Sequence, residues 1–305
     1  MKVAITGATG FIGTPLVAAL QARGDEVVAF TRDPARAKLQ GVRLVEADLE
    51  HAGPWQDAIA GCDAVINLAG EPVAGKRWDA RQKQRLRDSR VEATQHIVAA
   101  IAKAEVRPRV LVSASGADYY PFAMAQVADF DDDEVTEVDP AGEDFLARLC
   151  KAWEAEAVTA EPLGVRVVTM RTGLVLGAHG GALAKMTTPF KLFAGGRIGS
   201  GRQWMAWIHL DDAVAVYLAA LDDARYRGPI NLVTDSIRNA EFSKQLGSVL
   251  HRPSWLPVPA FALRAAVGEL AETLLNGRRV VPAKLRELGF TWKHPELREA
   301  LASTR

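Results

Sequence analysis

The chain has 305 residues, 49% of them hydrophobic and 24% charged, which excludes a disordered or fibrous protein and suits one large α/β domain or a main domain with a smaller lobe. Lysine plus arginine and aspartate plus glutamate number 37 each, so no net field draws the protein to nucleic acid. The opening "MKVAITGATGFIG" is too short an apolar run to span a bilayer, and Cys62 and Cys150 form no CxxC or Cys/His cluster; the expectation is a cytoplasmic protein with core thiols, no metal and no membrane partner.

Six valine- and isoleucine-rich runs follow one another in chain order: "KVAIT", "EVVAFT", "VRLVEA", "AVINLAG", "RVLVSAS" and "VRVVTMR". Helical patterns are expected over 12–23, 79–104, 143–161 and 211–222, the last with Ala213, Val216, Tyr217 and Ala220 at helical spacing. Runs that are apolar almost throughout suit strands covered on both faces, so the order predicts an α/β fold with a Rossmann-type doubly wound parallel sheet. After residue 176 the pairs Gly180-Gly181 and Gly195-Gly196 and the prolines at 253, 257 and 259 break the texture. The chain is therefore divided into a cofactor-binding domain over 1–171, its sheet completed by a strand near 229–234 in "GPINLV", and a mainly substrate-binding lobe over 172–305. The acidic run Asp129–Glu134 reads as a solvated loop.

"ITGATGFIG" places Gly7, Gly10 and Gly13, with Thr9, Phe11 and Ile12 between them, directly after the first strand and at the head of a helix. This spacing lets backbone amides and the positive helix end approach a pyrophosphate. NAD-specific sites usually end the second strand with a carboxylate for the ribose 2′-hydroxyl; "FTRDP" instead puts Thr31 and Arg32 there, which suits a 2′-phosphate. Asp33, one residue on, is the feature that would favour NAD, and the expectation is NADP(H) in preference to NAD(H). Asp48 and Leu49 are assigned to the adenine side. Leu68, Ala69 and Gly70 of "NLAGE" let backbone pass close to ribose and phosphates, Glu71 and Arg77 bring charge to the cleft edge, and Ser113 completes the cofactor set.

With "WEAEA", "RTGLVLG", "GGALAKM", "GSGRQWMAWIHLDD", "GPINLV" and "VVPAKLRELGF", these motifs run nearly the whole length. The sequence resembles an extended short-chain dehydrogenase/reductase of the NAD(P)-dependent epimerase/dehydratase class, and within it a poorly characterised epimerase subfamily with a C-terminal domain of unknown function. The resemblance implies a Rossmann domain with NADP and a small-molecule substrate, a carbonyl or alcohol, nucleotide-linked compounds included. Proton transfer in that family depends on a tyrosine four residues before a lysine, aided by a serine or threonine. Here the residues four places after Tyr119, Tyr120, Tyr217 and Tyr226 are Ala123, Met124, Leu221 and Ile230. Registering the helix on Trp153-Glu154 puts Leu146 and Cys150 at the tyrosine and lysine places, and Gly116 falls at the hydroxyl place with Ser115 beside it.

The remaining catalytic candidates are Tyr119, Tyr120 and Ser115, with cofactor-side packing as the other reading of the tyrosines. Arg171, Arg202 and His209 are the substrate-binding candidates; structural ion pairs for the arginines, and a hydrogen bond to the helix start at Asp211 for the histidine, are the alternatives. The apolar run "AFALRAAVGELAETLL" is either a homodimer helix or packing within the lobe. Two functions compete: an NADP(H)-dependent epimerase or reductase, and a non-catalytic NADP(H)-binding or sensing protein.

Overall fold

The computed structural model describes residues 1–121, 132–178 and 180–304; part of the acidic run, 129–131, lies outside them. The first half alternates β1 (Lys2–Thr6), α1 (Gly13–Ala22), β2 (Glu26–Thr31), β3 (Arg43–Glu46), β4 (Ala64–Asn67), α2 (Ala80–Asp88), α3 (Val91–Lys103) and β5 (Val110–Gly116). Then come β6 (Glu134–Val135), α4 (Phe145–Val158), β7 (Arg166–Thr172), β8 (Leu174–Leu176), α5 (Gly181–Lys191), β9 (Trp204–His209), α6 (Leu210–Asp222) and β10 (Gly228–Leu232). The chain finishes with β11 (Asp235–Arg238), α7 (Asn239–Leu250), α8 (Ala260–Val267), α9 (Leu270–Leu275), β12 (Arg279–Val280), α10 (Ala283–Glu287) and α11 (Leu297–Ala302).

Seven strands form one parallel sheet in the order β10-β7-β5-β4-β1-β2-β3. Side chains alternate across it as the pleat requires. On one face Val3, Ile5, Ala64, Ile66, Val110 and Val112 meet Leu16, Val17 and Leu20 of α1 and Ala213, Val216, Tyr217 and Ala220 of α6. On the other, Ala4, Val65, Leu111 and Val167 meet Ile97, Val98 and Ile101 of α3 and Ala157 of α4. Strand order reverses between β1 and β4, so the ligand crevice of an open α/β sheet falls beyond their carboxyl ends.

Smaller sheets, β11-β9-β8 and β12-β6, carry the remainder. The segment after residue 172 is interleaved with the first: α6 and Leu285 of α10 join the core beneath the main sheet, and β10 pairs with β7. The single helix expected over 79–104 is two. The Leu86 carbonyl takes the Ser89 hydroxyl at 3.3 Å and the Arg90 guanidinium at 3.1 Å, while Ser89 Oγ accepts the Glu71 amide at 3.0 Å. Those bonds stand where an uninterrupted helix would have its own backbone pair. Among the described residues no helix is long and apolar enough to cross a membrane.

Candidate functional site

Beyond β1 the chain turns at Gly7, whose φ of +65° is the left-handed region, and a Cβ there would stand 2.8 Å from the Leu68 backbone. A Cβ on Gly13 would lie 2.2 Å from the Gly7 carbonyl oxygen, so glycine is required for the turn to close on α1. Helix α1 starts at Gly13 with no side-chain cap and no acidic residue in its first turn, which leaves its amides and dipole for an anion. Thr9 and Gly10 are exposed on this loop, Ile12 is the helix cap, and Phe11 reaches across to Gly177, Gly180 and Gly181 before α5.

Thr31 ends β2, and the exposed Arg32 follows it. Asp33 is turned into its own loop, 3.2 Å from Arg36 Nε, and its amide donates to Thr31 Oγ1. Asp48 is exposed and holds His51 at 2.9 Å, while Leu49 packs on the core. Leu68 and Ala69 donate their amides to Thr6 Oγ1. Gly70 lies over the Arg90 guanidinium, and the Glu71 carboxylate is kept ionised by the Lys76 ammonium at 2.8 Å, its pKa below the usual range.

A buried polar network runs beneath the crevice. Thr6 Oγ1 donates to Asn67 Oδ1 at 2.7 Å, and Thr94 Oγ1 accepts both Asn67 Nδ2 and the Trp153 indole at 2.9 Å. Ser113 belongs here: wholly buried, within 3.5 Å of Asn67 Nδ2, it supports the floor and has no surface to offer a cofactor.

The three catalytic candidates meet in a second network. Arg171, 3% exposed, forks onto Glu154 with both bonds at 2.9 Å. Its third nitrogen donates to the Tyr120 hydroxyl at 2.9 Å and the Glu137 carbonyl at 3.2 Å. Tyr120 in turn donates to Asn231 Oδ1 at 2.6 Å, and burial pushes its pKa up to about 12, so the phenol is a poor base. Ser115 donates to Glu154 Oε1 at 2.6 Å. Tyr119 lies under the Arg171 guanidinium, 3.4 Å from ring centroid to carbon, and does not border the cavity described next. Arg171 is thus a buried cation with four of its five N–H donors taken up inside the fold.

A cavity of about 850 Å³ opens between the carboxyl ends of β5 and β7, the β4–α2 loop, α5, β9 and α8–α9, within the size range of small-molecule sites. At its sheet end stands Asp118, in the 3-10 turn after β5, the one carboxylate among the described lining residues. Burial, and then the Asp144 carboxylate at the head of α4, raise its pKa to about 6, against the pull of Arg90 before α3. Cys150, at the lysine place of the resembled family, lies under Gly116; a Cβ on that glycine would be 3.3 Å from its sulfur and 3.5 Å from Asp118 Oδ2. Burial, then Asp118, push the thiol up to about 12, so it is neutral and cannot supply the missing positive charge. Arg77 borders the cavity, packed on Gly268.

Two substrate candidates lie elsewhere. His209 caps α6: its Nδ1 accepts the Asp211 amide at 3.1 Å, its Nε2 meets Ser303 Oγ at 3.1 Å, and its ring centroid lies 3.8 Å from that of His294 with the planes tilted by 40°. Burial, then His294, lower its pKa, and both ring nitrogens are taken up within the fold. His209, Asp211 and His294 bring donor atoms within 4.8 Å, but the Lys293 ammonium already sits 2.6 Å from the Asp211 carboxylate. Arg202 is exposed in the turn before β9, its carbonyl accepting Arg238, and does not line the cavity. Asp118 and Arg90 escaped the sequence reading. The sole local hint was an acidic residue two places before Tyr120.

Residues 3–232 match the NAD dependent epimerase/dehydratase family, and residues 258–304 match a domain of unknown function. An epimerase family protein SDR39U1 homolog, chloroplastic, of Arabidopsis thaliana is 42% identical, over 99% of this chain and 86% of its own. The epimerase family protein YfhF of Bacillus subtilis is 36% identical, over 99% of this chain and 97% of its own. The crystal structure of human epimerase family protein SDR39U1 (isoform 2) with NADPH superposes with a TM-score of 0.87 at 34% identity, covering 100% of this chain and 99% of that one.

The Arg171–Glu154 fork gives a direct stability test. Glu154→Ala strands a buried guanidinium and is expected to cost about 3–5 kcal/mol in urea unfolding. Replacing both partners with apolar residues, Arg171→Met with Glu154→Leu, is expected to cost less than that single change.

Proposed function

Because the chain belongs to the NAD dependent epimerase/dehydratase family, we propose that it is an NADP(H)-dependent epimerase or reductase of carbonyl and alcohol substrates in which the Asp118 carboxyl handles the proton. The observation that carries this reading is the position of that carboxyl: it borders the cavity at the carboxyl end of β5, where ligands of open α/β sheets collect. The tyrosine and lysine places hold Leu146 and Cys150, both buried and neither able to relay a proton.

The glycine turn at Gly7, Gly10 and Gly13 and the uncapped start of α1 fit a dinucleotide pyrophosphate. Leu68, Ala69 and Gly70 would flank its riboses. Arg32, with Asp33 occupied by Arg36, favours a 2′-phosphate over a bare hydroxyl. The human relative's structure with NADPH supports the same choice. NADP(H), when bound, gives or takes the hydride. Asp118 takes the hydroxyl proton as an alcohol is oxidised and returns it as a carbonyl is reduced. With its pKa near 6 it is ionised at neutral pH, ready as a base, and becomes the acid form below that value. The groups that set this poise are Arg90, which favours the anion, and Asp144, which opposes it. Cys62 and Cys150, free and buried, support a reducing, cytoplasmic setting.

Asp118→Asn is expected to lower kcat for alcohol oxidation by about 10²–10⁴-fold while cofactor affinity holds. In the wild type that rate should fall, with one-proton dependence, as pH drops through about 6. Retained turnover in the variant would sink the assignment. If label from stereospecifically deuterated NADPH reaches no substrate across a broad carbonyl panel, although the cofactor binds, the sensing reading gains instead. On the cofactor side, nicotinamide fluorescence titration should give tighter NADPH than NADH. Arg32→Ala should weaken NADPH by about ten-fold or more, and equal affinities in the wild type would refute the preference.

A further inference from the structure

Helix α8 raises a question that the cofactor site does not answer. Leu263, Ala266 and Val267 recur at the spacing of an apolar stripe, and the stripe continues past Gly268 to Leu270. Such a stripe ordinarily packs on a core, yet α8 buries none of its residues. Its stripe lines the cavity, together with Met186 and Phe190 of α5.

Cations border the same space away from the stripe. Lys76 holds Glu71 at 2.8 Å and Lys185 donates to the Ala74 carbonyl at 3.1 Å, while the exposed Arg77 packs on Gly268. Against the stripe a diphosphate would lose water and meet no donor to replace it. A hydrocarbon chain loses nothing of the kind and gains from leaving water. Apolar surface also continues outward. Phe193, adjoining the lining residue Ala194, accepts the Trp255 indole N–H on its carbonyl at 3.0 Å, and both rings are exposed.

We propose that the cavity takes a carbonyl or alcohol carried on a hydrocarbon chain, with the chain against α8 and α5 and the oxygen at Asp118, in preference to a nucleotide-diphosphate sugar. The placement of the oxygen rests on the proton-handling role assigned to Asp118 above.

The test is calorimetric titration of the full chain, loaded with NADP+, with straight-chain alcohols from butanol to decanol and, separately, with UDP-glucose. Affinity is expected to rise about four-fold per added methylene, and decanol to bind at least about ten-fold more tightly than UDP-glucose. Leu263→Glu, on a half-exposed position, should flatten the chain-length series and leave NADP+ binding unchanged. A flat series in the wild type, or tighter binding of UDP-glucose, overturns the proposal. The same samples separate it from the catalytic reading. Oxidation moves the carbinol hydride to the nicotinamide and the hydroxyl proton to Asp118, forming aldehyde and NADPH. Chain-length-dependent binding with no NADPH formed upholds the apolar site and sinks the Asp118 chemistry.

Discussion

The fork between Arg171 and Glu154 is the constraint around which this molecule is arranged. Two buried charges are tolerable only when every donor and acceptor around them is matched. Ser115, Tyr120, the Glu137 carbonyl and Asn231 are all drafted for that purpose. Glu137 passes the connection on, receiving the Asn231 amide at 2.9 Å and the Lys284 amide at 3.3 Å, and Asn231 Nδ2 donates to the Val281 carbonyl. The carboxyl-terminal segment is thereby tied to the middle of the sheet through polar bonds as well as through the packing of Leu285. The hydroxyls of Ser115 and Tyr120 are taken up in holding the fold, and Asp118 stands in the turn just outside the network.

The opposite edge of the crevice is governed by space. Around the glycine turn, backbone lies so close to backbone that side chains have no room, which leaves amides facing outward at the head of α1. One wall of the site is therefore made of main chain suited to phosphates, and another of fully committed side chains. A carboxyl with an elevated pKa stands at the sheet end of the cavity beside the committed wall.

What the sequence discloses follows the range of the interactions involved. The strand runs, the glycine turn and the pair Thr31-Arg32 are local patterns, and each lies where its pattern places it; β10 joins the sheet at "GPINLV" as expected. The break between α2 and α3 depends on a contact with Glu71 in another loop, so helical periodicity alone runs through it. Arg171 and His209 look like ligands in isolation because their partners, Glu154, Tyr120 and Ser303, are distant in the chain. Asp118 is illegible for the same reason: its acidity comes from burial and from Asp144 and Arg90, which only the folded chain brings near.

The wall formed by α8 stands apart from all of these commitments. It is fastened to the nucleotide-binding part at its edges, through Arg77 against Gly268 and the exposed Lys83–Glu269 pair at 2.6 Å, and it buries none of its own residues. Substitutions along its inner stripe therefore reshape the chamber without disturbing the glycine turn or the Arg171 network. If the chamber holds the substrate as proposed, its choice can drift along a few positions of one helix, for a lineage or a protein engineer, while the cofactor chemistry is inherited intact.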